Sequence, residues 1–393
     1  MAISQTTFTT PNAEKYLNQL CKHWNHRFPV TYTPYEGWIP FSAEKICKLD
    51  AEEGVLRIRL SLADSGQMEQ FQNMVVEHLR RFAFREEPGQ LIWSDGDEED
   101  AASFATVPDF VEQEVEATGI LKDHAVRVSG RTVVMTYSEG PGRPLLLFHG
   151  LGGSARSFVP VMPALEAAGF RPVAVNMPGY RGSDRLYDDF PTLEQFAEHL
   201  RGLLDEIAIM RADILGHSLG GVLASTLAHF HPDRVDRMVL SSPPRGFGLG
   251  GPENWPEAHT KRIADLIAEG PELYAQKRAA SLCAEGADEP AVEAVRGEMA
   301  RLTPEGLRAA SSLYARADLH RLLAESTSPI HFLSGDRDRI VPANVVAEHG
   351  AVLGKAVTAM TGVGHAGYAE DSEQFAEAVI GGFTSLPILS SIV

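Results

Sequence analysis

Residues 216 to 220 read Gly216-His217-Ser218-Leu219-Gly220. The residues before them, Ala212-Asp213-Ile214-Leu215, predict a short buried strand, and Gly221 to Ala228 form an apolar run at helical spacing. A Gly-x-Ser-x-Gly sequence between a strand and a helix describes a nucleophile elbow. The turn is so sharp that only residues without bulky side chains fit two before and two after the serine. Its hydroxyl then stands exposed above the sheet, and the next backbone N–H points toward the same space. Such a serine suits covalent catalysis by a hydrolase. With 35 glycines in the chain, the pattern also arises by accident around an idle serine, so its partners decide.

Ser218 needs a base, and the base needs an orienting acid. Gly362-Val363-Gly364-His365-Ala366 puts a Gly-flanked histidine on a loop; alone, such a residue is more often solvated surface. Upstream, Phe332-Leu333-Ser334-Gly335-Asp336-Arg337-Asp338 sets carboxylates just past a strand's C-terminal end, where open α/β sheets bind ligands. The plainer reading of Asp336 and Asp338 is turn chemistry. The order Ser218, Asp338, His365 is the one expected with an elbow of this type.

The elements that must position these residues follow from apolar patterning. From Pro144 onward, fully apolar runs alternate with helical stretches: Leu145–Phe148, Pro172–Val175, Ile214–Leu215, Arg237–Leu240 and Ile330–Leu333. Such strands predict a parallel sheet covered by helices on both faces. His124–Val128 and Thr132–Tyr137 predict a hairpin ahead of it. Residues 245–328 interrupt the alternation with helical patterns at Glu257–Ala268, Pro271–Cys283, Pro290–Leu302 and Pro304–Leu323. An 84-residue loop would be out of place in a compact domain, so this stretch is expected to be an inserted helical cap. The core is then 124–244 with 329–393.

At the other end, residues 1–93 predict a small α+β domain. A helix over Ala13–Arg27 carries Tyr16, Leu17, Leu20 and Trp24 on one face. Alternating stretches such as Leu56–Leu60 form an antiparallel sheet, and a second helix covers Met68–Phe84. Residues 94–123 read as an acidic linker beginning at Ser94, followed by a connecting helix over Pro108–Leu121.

Composition excludes several classes of partner. The net charge of −18, from 53 acidic and 35 basic side chains, repels phosphate backbones and anionic lipid, so neither nucleic acid nor membrane is expected. No run is long enough for a transmembrane helix, and the polar, Thr-rich start has no signal-peptide pattern. Cys21, Cys47 and Cys283 are odd in number and scattered, which fits no disulfide framework and suits a cytoplasmic location. A small-molecule substrate is the expected partner, no cofactor is expected, and a homo-oligomer is possible.

From about residue 124 to about 385 the chain resembles the α/β-hydrolase fold superfamily. His149-Gly150-Leu151-Gly152-Gly153-Ser154 is similar to the family's His-Gly-x loop. Asn176-Met177-Pro178-Gly179-Tyr180-Arg181-Gly182-Ser183 resembles its Asp-x-Pro-Gly-x-Gly-x-Ser segment, with Asn176 in place of the usual Asp and Arg181 as an extra residue. Gly335-x-x-Asp338-x-Ile340-Val341-Pro342 matches the acid loop, which favours Asp338 over Asp336, and Gly364-His365 followed by Glu370 and Phe375 matches the histidine loop. The resemblance implies a triad of Ser218, Asp338 and His365, and an oxyanion hole from the backbone N–H groups of Leu219 and Leu151. His149, Gly150 and His217 are substrate-pocket candidates; His149 is expected to shape its loop and not to act as a base. A serine nucleophile argues against epoxide hydrolases and haloalkane dehalogenases, which use Asp there. In the cap, Lys261, Arg262, Arg278, Arg308 and Arg316 could hold a substrate carboxylate, although solvated helix faces are the simpler reading for any one of them.

Residues 5 to 93 resemble a small, uncharacterised bacterial domain family loosely associated with iron and siderophore proteins. His23 and His26 share a helix face and His78 could approach from the second helix, a candidate metal site whose plainer reading is structural. The expected function is hydrolysis of a small or medium carboxylic ester, thioester or lactone. One alternative is cleavage of a carbon–carbon bond in a dicarbonyl product of aromatic degradation. Another, from a different class, is a non-catalytic ligand-binding protein on the same scaffold.

Overall fold

The computed structural model describes residues 2–24, 28, 30–33, 35–42, 44–52, 54–84, 86, 88–89, 91–97, 104, 121–138, 142–186 and 188–388. These fall into two compact units, one ending at Phe104 and one starting at Leu121.

The first unit is built on strands β1 (Ala2–Thr9), β2 (Thr31–Tyr32), β3 (Glu36–Ser42), β4 (Lys45–Glu52), β5 (Val55–Leu62) and β6 (Ser94–Asp95), with helices α1 (Ala13–Trp24) and α2 (Met68–Phe82) packed on the sheet. The order is β2-β3-β4-β5-β1-β6, and every pair is antiparallel. α1 buries Tyr16, Leu17, Leu20 and Trp24 as its apolar spacing requires.

Two expectations are corrected here. The unit opens on a strand, not on α1: β1 pairs with β5 along its whole length. Its inward residues Ser4 and Thr6 are polar but satisfied, their hydroxyls donating to Ser94 O (3.2 Å) and Ile92 O (2.8 Å). Ser94 and Asp95, read as the start of the linker, form the edge strand β6 on β1. A two-residue exposed edge buries nothing, so it needs no apolar side chain. The rest of the linker from 98 on, and residues 108–120 of the connecting helix, lie outside the described residues, apart from Phe104. Leu121 itself begins a strand.

The second unit has an eight-stranded sheet: β7 (Leu121–Val128), β8 (Arg131–Ser138), β9 (Arg143–Phe148), β10 (Phe170–Val175), β11 (Ala212–His217), β12 (Val235–Ser241), β13 (Ile330–Gly335) and β14 (Ala356–Met360). In the order β14-β13-β12-β11-β9-β10-β8-β7, the six strands from β14 to β10 run parallel, and β8 pairs antiparallel with both β10 and β7. β11 and β13 are buried at every residue, which is why their sequences do not alternate. The flanking helices are α3 (Met162–Ala167), α4 (Leu193–Glu206), α5 (Leu219–Phe230) and, after the insertion, three more.

The insertion carries α6 (Glu257–Glu269), α7 (Pro271–Leu282), α8 (Glu289–Met299), α9 (Pro304–Arg316) and α10 (Leu319–Leu323). Its stops and starts are local chemistry. Gly270, at φ 76°, parts α6 from α7. The Asp288, Thr303 and Asp318 side chains accept the first-turn N–H groups of α8, α9 and α10. The last of these caps corrects the single helix expected over Pro304–Leu323. The chain leaves helical geometry at Ala317, where its carbonyl accepts Gly248 N–H (2.7 Å), and Asp318 starts a new helix. The remaining helices are α11 (Ala343–Leu353), α12 (Gly367–Glu370) and α13 (Ser372–Ser385). The three cysteines are free and buried, and no helix among the described residues is long and apolar enough to cross a membrane.

Candidate active site

β11 runs straight into α5 through Ser218, which takes φ 53° and ψ −120°. A non-glycine residue held there stores of order 1–3 kcal/mol of strain. The surroundings enforce it: Ser218 N–H donates to Ser241 O (2.7 Å) on the neighbouring strand, and Gly221 N–H donates to Ser218 O (2.9 Å). The two glycines are fixed by contact. A side chain at Gly216 would meet Gly220 O at 2.6 Å, and one at Gly220 would meet Phe148 O at 1.9 Å.

His365 stands on the loop after β14, with Nε2 2.9 Å from Ser218 Oγ and Nδ1 2.8 Å from Asp338 Oδ2. Asp338 follows β13, and its Oδ1 accepts the N–H groups of Ile340 (2.8 Å) and Val341 (2.9 Å). Burial pushes its carboxyl up, but the His365 contact, the Val341 N–H and a hydrogen bond from Ser242 outweigh that and hold it below the usual carboxylate value. An ionised Asp338 accepts the Nδ1 proton of His365. Nε2 is then free to accept the proton of Ser218.

Two backbone N–H groups lie next to Ser218, those of Leu219 and Leu151. Leu219 begins α5, so its N–H has no acceptor within the helix. The Gly150–Leu151 peptide lies against the serine: a side chain at Gly150 would meet Ser218 Cβ at 3.0 Å. The carbonyl end of this peptide is pinned by His149 Nδ1 (2.8 Å) and Gly153 N–H (3.1 Å). Because a trans peptide points its N–H opposite to its C=O, pinning Gly150 O aims the Leu151 N–H the other way. His149 Nε2 accepts Met177 N–H (3.0 Å), which leaves its proton on Nδ1. Burial lowers its pKa to about 4, so the ring is neutral. His149 therefore orients the loop from behind and does not line the cavity, whereas Gly150 and His217 do. Burial, with His365 beside it, holds His217 well below its ordinary value; its ring packs 4.9 Å from His365 and 5.1 Å from Tyr368.

The cavity above Ser218 measures about 280 Å³, with a floor from the elbow and a roof from the cap. Tyr274, Met299 and Tyr314 of the cap and Tyr368 beside His365 line it. None of these stands near another in sequence, so no local pattern could have found them. The sequence departures also acquire a place. Asn176 Oδ1 accepts Ala155 N–H (2.8 Å). The extra Arg181, at φ 40°, reaches Glu298 on α8 (3.1 Å), and Glu298 also accepts Ser154 Oγ–H from the His149 loop.

Of the cap cations, Lys261 pairs with Asp265 (2.7 Å), Arg308 lies 3.7 Å from Glu305, and Arg316 donates to Ser312 (3.1 Å). Arg278 is held by Asp265 and Glu269. Arg262 lines the cavity. In the first unit His23 and His78 lie with ring centroids 5.0 Å apart, in a cluster with Trp24 and Phe82, and His78 Nδ1 bonds Met74 O (2.8 Å). His26 lies outside the described residues.

The alpha/beta hydrolase fold family matches residues 143–372 of this chain. The chain belongs to the α/β-hydrolase fold family. As a member it resembles curated relatives of more than one activity. It is 30% identical over 258 residues to a 2-hydroxymuconate semialdehyde hydrolase of Pseudomonas putida, covering 62% of this chain and 88% of that one. A match to the enzyme of the same name from Pseudomonas sp. strain CF600 is 37% identical but spans 38% of its length. A pimeloyl-[acyl-carrier protein] methyl ester esterase of Neisseria meningitidis is 29% identical over 60% of this chain and 90% of its own. Among solved structures, the bromoperoxidase of Bacillus anthracis shares the fold at TM-score 0.59 and 19% identity, over 67% of this chain and all of that one. Residues 5–94 match a second family, described as an uncharacterised protein conserved in bacteria. This α/β hydrolase is thus an enzyme family member joined to a domain without an assigned role.

Proposed function

We propose that this α/β hydrolase cleaves a small carboxylic ester, thioester or lactone through an acyl-enzyme on Ser218. The observation that supports it best is the unbroken chain of hydrogen bonds from Asp338 to His365 to Ser218, at the floor of a cavity lined by the cap. His365 takes the Ser218 proton as Oγ bonds to the substrate carbonyl carbon. The carbonyl oxygen becomes an oxyanion, received by the N–H groups of Leu151 and Leu219. Collapse breaks the bond to the leaving group, which receives the proton from His365. Water, deprotonated by the same imidazole, then releases the acid and restores Ser218.

A fluorophosphonate probe with a panel of p-nitrophenyl esters tests this reading. Labelling of wild type and not of Ser218→Ala, together with ester turnover, is the expected result. A folded protein that neither labels nor turns over any acyl compound would point instead to a ligand-binding protein on this scaffold.

A second reading has its own support. The Pseudomonas putida relative, similar over most of its length, is named for acting on a semialdehyde of 2-hydroxymuconate. The same serine and histidine serve carbon–carbon cleavage if the bond broken lies between a carbonyl carbon and a stabilised carbanion. Disappearance of a dienoate chromophore, without turnover of simple esters, would favour it.

A further inference from the structure

On two cap helices, cations outnumber the carboxylates that pair with them, in a chain whose net charge is −18. On α6 and α7, Asp265 takes Lys261 (2.7 Å) and Arg278 (2.9 Å), and Glu269 takes Lys277 (2.8 Å) and Arg278 (2.8 Å). Arg278 also lies over the Tyr274 ring, 3.8 Å from its centroid. Two carboxylates are thereby committed to three cations. Arg262, on the same helix face as Asp265 and Glu269, has no hydrogen bond or ion pair with any described residue. It lines the cavity above Ser218. Burial pushes the phenols of Tyr274 and Tyr314 up, and the Arg262 charge beside both acts in the opposite sense. Arg262, Tyr274 and Tyr314 all line this one cavity.

A half-buried cation without a counter-ion is costly, and a ligand carboxylate removes that cost through a bidentate, charge-assisted pair. We propose that Arg262 is a specificity-determining residue that receives a carboxylate of the substrate, so that the preferred substrates are short acyl compounds bearing a second, anionic end, such as half-esters of dicarboxylic acids. This rests on the cavity being the active site. The neighbouring phenols of Tyr274 and Tyr314 can donate to the same oxygens. Chains of equal length ending in a methyl group leave Arg262 unpaired and are disfavoured.

The experiment separates binding from turnover. Glutarate and 1,5-pentanediol are titrated calorimetrically into Ser218→Ala protein, with and without Arg262→Ala or Arg262→Lys. Alongside, wild type and the Arg262 variants are compared on the p-nitrophenyl half-ester of glutaric acid and on p-nitrophenyl valerate. Glutarate should bind and the diol should not. Arg262→Ala should weaken glutarate roughly tenfold to a hundredfold, Arg262→Lys should restore part of it, and the half-ester preference should collapse in Arg262→Ala. Glutarate binding that is no tighter than the diol's, or that survives Arg262→Ala, overturns the inference. If Arg262-dependent binding is found with no ester turnover, the carboxylate site stands and the ester reading falls.

Discussion

Glu370 holds Gly364 through both carboxylate oxygens, with the Gly364 N–H 3.1 Å from Oε1 and 3.0 Å from Oε2. Oε2 also accepts Ala284 N–H (2.8 Å), and Ala366 N–H donates to Leu282 O (2.9 Å). One side chain thus ties the loop that carries His365 to the end of cap helix α7. Glu370→Ala should slow fluorophosphonate labelling of Ser218 on the order of tenfold, because labelling reads the placement of His365 without any substrate. Glu370→Gln keeps one acceptor oxygen and should fall between. Labelling at the wild-type rate in Glu370→Ala would separate this carboxylate from the site.

Asp338 presents its two oxygens to different partners, and this decides what an amide would do. In Asp338→Asn, the Ile340 and Val341 N–H groups keep the amide oxygen on their side. The NH2 end then faces His365 Nδ1 and favours the tautomer whose proton sits on Nε2, which cannot accept from Ser218. A loss in kcat of about four orders of magnitude is expected, by analogy with the same change in serine proteases. Stability should respond in its own way. The folded carboxyl is depressed, so its contribution is present above the unfolded value of about 4 and is lost as pH falls through the folded value. The difference in Tm between wild type and Asp338→Asn should therefore shrink below about pH 4 and be constant from pH 6 to 8.

His149 bridges Gly150 O and Met177 N–H with its two ring nitrogens. His149→Gln should lower kcat about a hundredfold, the cost of one oxyanion donor, with a smaller change in KM. Since burial holds the ring down to about 4, an activity limb between pH 6 and 7 in wild type cannot belong to His149. A limb in that range that vanishes in His149→Gln would contradict this assignment.

Asp213 lies far from the chemistry at the start of β11. It accepts from Arg237 at 2.9 and 2.5 Å and from Arg143 at 2.7 Å, and it is wholly buried. Asp213→Ala leaves Arg237 buried without its counter-ion, which costs about 3–5 kcal/mol. Thermal melting should show a fall in Tm on the order of 10 °C, while Ser218 still labels below the transition.

What could be read in the chain was whatever is enforced by contact or by burial on two faces. The elbow was legible because Gly220 has a backbone carbonyl where a side chain would go, and β11 and β13 because neither has a wet face. β1 hid because Ser4 and Thr6 point inward and are satisfied by carbonyls some 90 residues away. β14 hid because four of its five residues are exposed on an edge. The break at Ala317 hid because helical spacing runs through it, and the interruption lies where Ala317 O accepts the Gly248 N–H from the distant segment after β12. Ser218, Asp338 and His365, which the structure brings into hydrogen-bond range of one another, could be named from local motifs, but the aromatic lining of the cavity could not. Tyr274, Tyr314 and Tyr368 come from three elements that meet only in three dimensions.

The spacing around Gly220 and Gly364 has a practical consequence for any survey of substitutions. A side chain at Gly364 would meet Ala284 N at 2.3 Å, as one at Gly220 would meet Phe148 O at 1.9 Å. In a saturation scan scored by activity alone, both positions would tolerate as few replacements as Ser218, although neither carries a reactive atom. Soluble yield separates the two kinds of intolerance: Ser218 variants should accumulate as folded protein, and variants at the two glycines should not.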